Sequence, residues 1–383
     1  MNETCVLLTV CGKMYIMETV TAVSYMVHTA TSTAFCKRYY ITHMGMATKE
    51  NKTITEDEAA LYDRQIRLWG VEAQQRIRNA NILVAGIKGL GNEICKNLVL
   101  AGIGSLTILD PEPVIIQDLG AQFFLTEADI GKNRAEAAAI QVQALNPRVA
   151  VRTDKEDIEQ KPDAYFEQFD IVCVTYASLP TMIRLDALCR ARKIPFYAAD
   201  TFGMFGYIFC DLHSHQYIQV RKEEATTKNA TPREISEPRV EEYCTLVQSL
   251  DRDWSDITKG QLKKRVSKAF PMTLVRYRFQ ELHDRLPTEA DERELGTLRN
   301  DYLPQLGFKD LTFLDDSMIE ILAQTANTEI SPVCAIVGGI LAQEIIKVLS
   351  GKELPIQNWF FYDGIAGSGL IHHIEKGKSI ILQ

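Results

Sequence analysis

Apolar residues along this chain follow two rhythms. Ile82-Leu-Val-Ala85, Leu106-Thr-Ile-Leu109, Phe169-Asp-Ile-Val-Cys-Val-Thr175 and Pro195-Phe-Tyr-Ala-Ala199 are short, almost continuous apolar runs. Runs of that kind suit parallel strands buried on both faces. Segments with helical spacing separate them, over 91–101, 131–145 and 180–192. The pattern predicts strands at 82–86, 105–109, 149–153, 169–175 and 195–199, alternating with helices. That alternation predicts an α/β fold: a Rossmann-like, doubly wound, mainly parallel sheet.

Thr55-Glu-Asp-Glu58 has the spacing of a capping box and opens a helix. A second helical stretch, Val71 to Asn79, follows Gly70. Tyr207–Leu212 and Tyr217–Val220 read as an added antiparallel pair. Residues 221–242 are charged, carry Pro232 and Pro238, and offer few apolar anchors, so they predict a flexible surface crossover. Helical pattern resumes at Lys259–Lys268, Met272–Arg285, Thr288–Leu306 and Asp315–Ala326. A helix over 332–349 returns to the sheet, and Asn358–Asp363 and Gly369–His373 close the chain as strands. The expected organisation is a poorly ordered extension over 1–46, a Rossmann-like domain over 47–220 and a crossover over 221–242. A helical insert over 243–330 follows, and 331–383 completes the domain.

A net charge of -8 disfavours a nucleic-acid binder, which presents a basic face. None of the nine cysteines forms a Cys-x-x-Cys pair, so neither a metal site nor a redox motif is signalled, and reduced thiols are expected. The helix over 332–349 holds Gln343, Glu344 and Lys347 and reads as a core helix, too short and too charged for a bilayer. In 1–46, Glu3 and Lys13 interrupt a secretory pattern, and basic residues are too few for a transit peptide.

Candidate chemistry starts where the first strand ends. Gly86, Lys88, Gly89 and Gly91 form a glycine-rich turn leading into a helix, and Asp110 ends the next strand. This is the outline of a nucleotide site: backbone N–H groups and the helix dipole receive phosphate, and the acid holds a ribose hydroxyl. It is equally the outline of a tight packing turn followed by a turn acid before Pro111. Lys88 weighs toward packing, because a Cβ there interferes with close phosphate approach. A nicotinamide-dinucleotide oxidoreductase is a further reading of the same outline, but no residue is placed for its proton transfer. Tyr62-Asp-Arg-Gln-Ile-Arg-Leu-Trp-Gly70 is more specific: Ile66 and Trp69 can share a buried face while Asp63, Arg64 and Arg67 point elsewhere.

Tyr-x-Arg-Gln ahead of a strand, a Gly-x-x-Gly-Leu-Gly turn and an Asp-ending strand together resemble the family of ubiquitin-like-protein activating enzymes and their bacterial adenylyltransferase relatives. The resemblance runs from about Thr55 to Gly369. Within the family it is to the small, regulatory side of the heterodimers that activate SUMO. It implies an adenylation-type domain active only as half of a pair. The other half would bind ATP and Mg, adenylate the modifier's C-terminal carboxylate, and carry the cysteine that takes the thioester. By motif position, Arg64 would reach across to the partner's ATP phosphates, where a cation supplied in trans stabilises the leaving pyrophosphate.

Departures from the family's active pattern imply that the site in this chain is degenerate and binds no nucleotide or metal of its own. Asparagine and arginine of the active pattern are here Asp118 and Ala121, and its lysine is Arg134. Lys88 joins these. Cys244 follows two acids, which would raise a thiol pKa, and is expected to be structural. The implied partners are the catalytic, cysteine-bearing subunit and SUMO through the complex, with neither nucleic acid nor membrane. The family implies a nuclear location, with the cytoplasm as a second. The alternative is a homodimeric adenylyltransferase that activates a sulfur-carrier protein by itself.

Overall fold

A computed structural model describes residues 6–10, 13–17, 53–223, 233–374 and 381–382. They fall in two units, Met1–Asn51 and Lys52–Gln383. In the first, β1 (Val6–Val10) and β2 (Lys13–Met17) pair antiparallel. The sequence reading saw no strand period there. The β-prone runs are only a few residues long, so propensity shows where period does not. The rest of the expected extension lies outside the described residues.

The second unit is built on β3 (Asn81–Ala85), β4 (Ser105–Leu109), β5 (Ala150–Asp154), β6 (Ile171–Thr175) and β7 (Phe196–Phe202). These are parallel, in spatial order β5-β4-β3-β6-β7. The order reverses direction between β3 and β6, which is where a doubly wound sheet opens a ligand crevice. β8 (Phe205–Asp211) adds antiparallel to β7. β9 (Ser214–Glu223) and β10 (Arg233–Glu242) form a separate two-stranded sheet. β11 (Trp359–Asp363), β12 (Ser368–His373) and β13 (Ile381–Leu382) complete the main sheet beyond β8, all antiparallel.

Two expectations are corrected here. The segments over 207–212 and 217–220 do not pair with each other: β8 lies between β7 and β11, while β9 pairs with β10. Residues 221–223 and 233–242, read as an irregular crossover, are strand. The ribbon is held by backbone pairing and anchored by the buried Tyr217, while β10 is mostly exposed over 236–240, so apolar patterning does not report it.

Helices cover both faces of the main sheet. The N-terminal ones are α1 (Glu56–Leu61), α2 (Asp63–Trp69) and α3 (Val71–Arg78). In the predicted capping box at α1, Thr55 Oγ1 accepts the Glu58 N–H at 3.2 Å and the Glu58 carboxylate accepts the Thr55 N–H at 3.1 Å. Then come α4 (Gly89–Ala101), α5 (Arg134–Leu145), α6 (Asp163–Phe166) and α7 (Leu179–Arg192). The insert holds α8 (Leu246–Leu250), α9 (Lys259–Arg265), α10 (Ala269–His283), α11 (Glu292–Gln305) and α12 (Asp316–Thr325), and α13 (Ser331–Ser350) follows. Strand residues alternate between two cores: Leu83, Val172 and Phe209 face one, and Ile82, Cys173 and Ile208 the other. The insert shares the first. Trp254 and Phe270 pack with Phe361 and His372 of the C-terminal strands, at ring separations of 4.9 to 6.2 Å. Arg276 of α10 is buried and bonds the buried Asp200 of β7 at 2.6 Å.

α13 is long and apolar enough to cross a membrane by length and composition, yet it packs on α4 with Glu344 buried. Its paired glycines differ. A Cβ on Gly338 would lie 2.7 Å from the Glu93 Cβ, whereas one on Gly339 meets nothing within 4 Å. Gly338→Ala should therefore cost about 1–3 kcal/mol through overpacking. Gly339→Ala should be neutral or stabilise by up to about 1 kcal/mol through helix propensity. Urea unfolding of the two variants side by side checks this.

The chain enters the insert through a buried acid pair. Asp186 of α7 accepts the Leu246 N–H at 2.7 Å. Arg190 grips Asp211 at 2.6 and 2.8 Å and donates to the Tyr243 carbonyl at 3.0 Å. Burial, and then Asp211 beside it, pushes the Asp186 carboxyl from 3.8 up to about 7. Between those values the folded chain holds a proton that the unfolded chain releases, so this group makes stability fall as pH rises across the window. Asp186→Asn keeps an acceptor for Leu246 and removes the titration. Its unfolding free energy should depend less on pH between about 4 and 7 than that of the parent, as chemical denaturation across that range would report.

Candidate functional site

The turn after β3 closes on its own chain. Gly86 has φ +88°, and a Cβ there would lie 2.5 Å from Thr175 Oγ1. The Thr175 hydroxyl donates to the Gly86 carbonyl at 2.9 Å, joining the ends of β3 and β6. A Cβ on Gly91 would lie 2.0 Å from the Gly86 carbonyl oxygen. Packing alone thus requires both glycines. Lys88 is the N-cap of α4 in an extended conformation that any residue adopts. Its Nζ lies over the Tyr176 ring, 5.3 Å from the centroid. The buried Gln122 props the turn, donating from Nε2 to the Ile87 carbonyl at 3.1 Å.

The crevice beside the turn is filled by the chain's own groups. A Cβ on Gly89 would meet the Ala121 Cβ at 2.7 Å, Glu329 Oε1 at 3.0 Å and Cys334 Sγ at 3.2 Å. Asp110, the predicted ribose acid, is already engaged: it accepts the Ile87 N–H at 2.9 Å and the Glu112 N–H at 3.0 Å. Arg134, first residue of α5, donates to both Asp110 oxygens at 3.0 and 3.1 Å and to Asp118 at 3.0 Å. All three side chains are at most 4 % exposed. Burial works against the guanidinium charge, but Asp110 and Asp118 outweigh it and raise the Arg134 pKa above its ordinary value. Lys88, Asp118, Ala121 and Arg134 are the four departures that together mark the site as degenerate in the sequence. Two of them, with Asp110, are one ion triad, and Ala121 packs against the turn.

Arg64 lies elsewhere, on α2, and is held outward by its neighbours. The buried Tyr62 accepts from Asn146 Nδ2 at 2.7 Å, and its ring fills the space beside Gly102. Trp69 Nε1 donates to Gln74 at 2.9 Å, and Gln65 Nε2 donates to the Leu100 carbonyl at 3.4 Å. Ile66 and Trp69 are half-buried, a weaker anchor than the sequence suggested, and no residue of α2 is fully buried. Asp63 pairs with Arg67 at 2.9 Å. Arg64 is exposed and makes no hydrogen bond or ion pair among the described residues; none joins it to the Gly86–Gly91 turn. Leu61, Leu68 and Leu100 lie exposed on this part of the chain, and a shallow cavity of about 300 Å³ is lined by Gln65, Trp69, Leu100, Gly339 and Ile346.

A sheet that switches direction at a glycine turn, preceded by a clamped Tyr-x-Arg-Gln helix, invites comparison with known families. The ThiF family matches residues 62–379. The chain belongs to the ThiF family. It is 40% identical over 335 residues to SUMO-activating enzyme subunit 1 of Homo sapiens, covering 83% of this chain and 95% of that protein. The same subunit of Xenopus tropicalis is 38% identical over 346 residues, covering 85% and 98%, and that of Danio rerio 38% over 347 residues, covering 86% and 98%. The Rossmann-like sheet described above is thus a ThiF adenylation-type fold.

Within this ThiF chain no described cysteine suits nucleophilic chemistry. Cys95, Cys173, Cys189, Cys210, Cys244 and Cys334 are all buried. Burial, then Asp211, pushes Cys244 up to about 12, and burial, then Glu329, does the same to Cys334. A thiol so placed stays protonated at neutral pH. Cys5, Cys11 and Cys36 lie outside the described residues. Glu329 and Tyr176 carry no signal in the sequence and reach the turn from far along the chain; only tertiary structure brings them there. Arg134→Met strands two buried carboxylates and should cost about 3–5 kcal/mol. Urea unfolding at neutral pH measures it.

Proposed function

We propose that this chain is the non-catalytic, arginine-donating subunit of a heterodimeric SUMO-activating enzyme, inert by itself. The observation that carries the reading is the pairing of a turn closed by Arg134, Asp110 and Glu329 with an exposed Arg64 that has no partner among the described residues. Relatives that span most of the chain bear the name of that enzyme's subunit 1. In this reading ATP and Mg sit in the partner subunit. The modifier's terminal carboxylate attacks the α-phosphate, and Arg64 stabilises charge on the departing pyrophosphate. The exposed Leu61, Leu68 and Leu100 would bring the partner's surface to Arg64. The thioester would form on a cysteine of the partner. The assembly would work in the nucleus, with the cytoplasm as a second location. A homodimeric adenylyltransferase would need nucleotide in this chain's own turn, and the Arg134 triad disfavours it.

The test combines this chain with a catalytic SUMO-activating subunit and measures SUMO-dependent ATP–pyrophosphate exchange. The chain alone should give none. Arg64→Ala should lower exchange about 100-fold while the pair still co-elutes. Unchanged exchange in that variant would remove Arg64 from the reaction.

A further inference from the structure

In this fold the first turn of the helix after β3 receives phosphate, because its N–H groups lack intrahelical partners. Here one of those groups, the Leu90 N–H, meets an internal carboxylate. The Leu90 N–H points to Glu329 Oε1 at 3.3 Å and to the Tyr176 hydroxyl at 3.1 Å. The Tyr176 hydroxyl in turn donates to the same Glu329 oxygen. That oxygen lies 3.0 Å from where a Gly89 Cβ would stand, so a side chain there would crowd it as well as clash with the Ala121 Cβ at 2.7 Å.

Both partners are held from behind. Tyr176 follows β6 at φ 57°, a left-handed conformation that a bulky residue keeps only when its surroundings fix it. Its hydroxyl also lies 3.3 Å from Thr201 Oγ1. Glu329 sits between α12 and α13, and the Thr328 carbonyl beside it accepts the Gly203 N–H at 2.8 Å. Two segments distant in sequence thus bring one negative charge to the positive end of α4.

We propose that Glu329 is a resident anion: its carboxylate, gripped by Tyr176, occupies the phosphate seat at the start of α4 and keeps the turn formed without nucleotide. The chain carries permanently what its fold elsewhere obtains from a ligand. This inference does not rest on Arg64 or on any partner.

The test uses the full chain alone, melted with and without millimolar pyrophosphate at constant ionic strength. The parent should not respond. Glu329→Ala should melt a few degrees lower and regain most of the loss when pyrophosphate is added. Glu329→Gln, which keeps the shape and removes the charge, should also gain a pyrophosphate response if the alanine variant fails to fold. Pyrophosphate raising the parent's melting temperature as much as the variants' would overturn the proposal, because the seat would then be free. So would a destabilised variant that pyrophosphate does not restore, or variants that melt like the parent.

Discussion

A buried cation between two buried carboxylates organises this molecule. Removing Arg134, Asp110 and Asp118 from water costs several kcal/mol per charge, and their mutual ion pairs together with backbone N–H groups donated to both carboxylates offset it. The triad joins the end of β4, the loop before Ala121 and the first residue of α5. Through Asp110 it also takes the Ile87 N–H and so sets where the turn after β3 runs. The turn starts α4, and α4 receives α13 across Gly338. A chain of contacts therefore leads from one ion cluster to the packing of a whole face of the sheet.

Arg134 and Arg64 show what environment does to one side-chain chemistry. The first is engaged internally: its guanidinium binds two buried carboxylates and a backbone carbonyl. The second sits on a helix whose tyrosine, glutamine and tryptophan turn inward and whose arginine turns outward. The spacing of Tyr-x-Arg-Gln is thus a mechanical one. Tyr62 anchors, and the residue two places on is left in solvent with its charge unspent.

Much of the fold was legible because buried strands leave a dense apolar signature: Ile82–Ala85 and Ile171–Thr175 appear in sequence almost as they appear in the sheet. The capping box at Thr55 was legible for a different reason, since its partners lie within one turn. β10 was not, because Pro238, Arg239 and Val240 are exposed and give it no apolar alternation. At the site, Asp110 is the expected strand-ending acid and Asp118 and Arg134 are departures from the family pattern, yet their mutual bonding is visible only once β4 and α5 are placed together. Glu329 and Tyr176 carried no local mark at all. A carboxylate that completes a turn some 240 residues earlier in the chain is visible only in space.

The aromatic cluster of Trp254, Phe270, Phe361 and His372 has a consequence for how the chain is made. Synthesis runs from the N-terminus, so the ribosome delivers Trp254 and Phe270 well before β11 and β12 exist. Until those strands emerge, α10 meets the sheet only at β7 and β8, and the ring cluster lacks Phe361 and His372. A nascent chain stalled before residue 359 would display that incomplete cluster to the cell. This core can close only after β11 and β12 have left the ribosome.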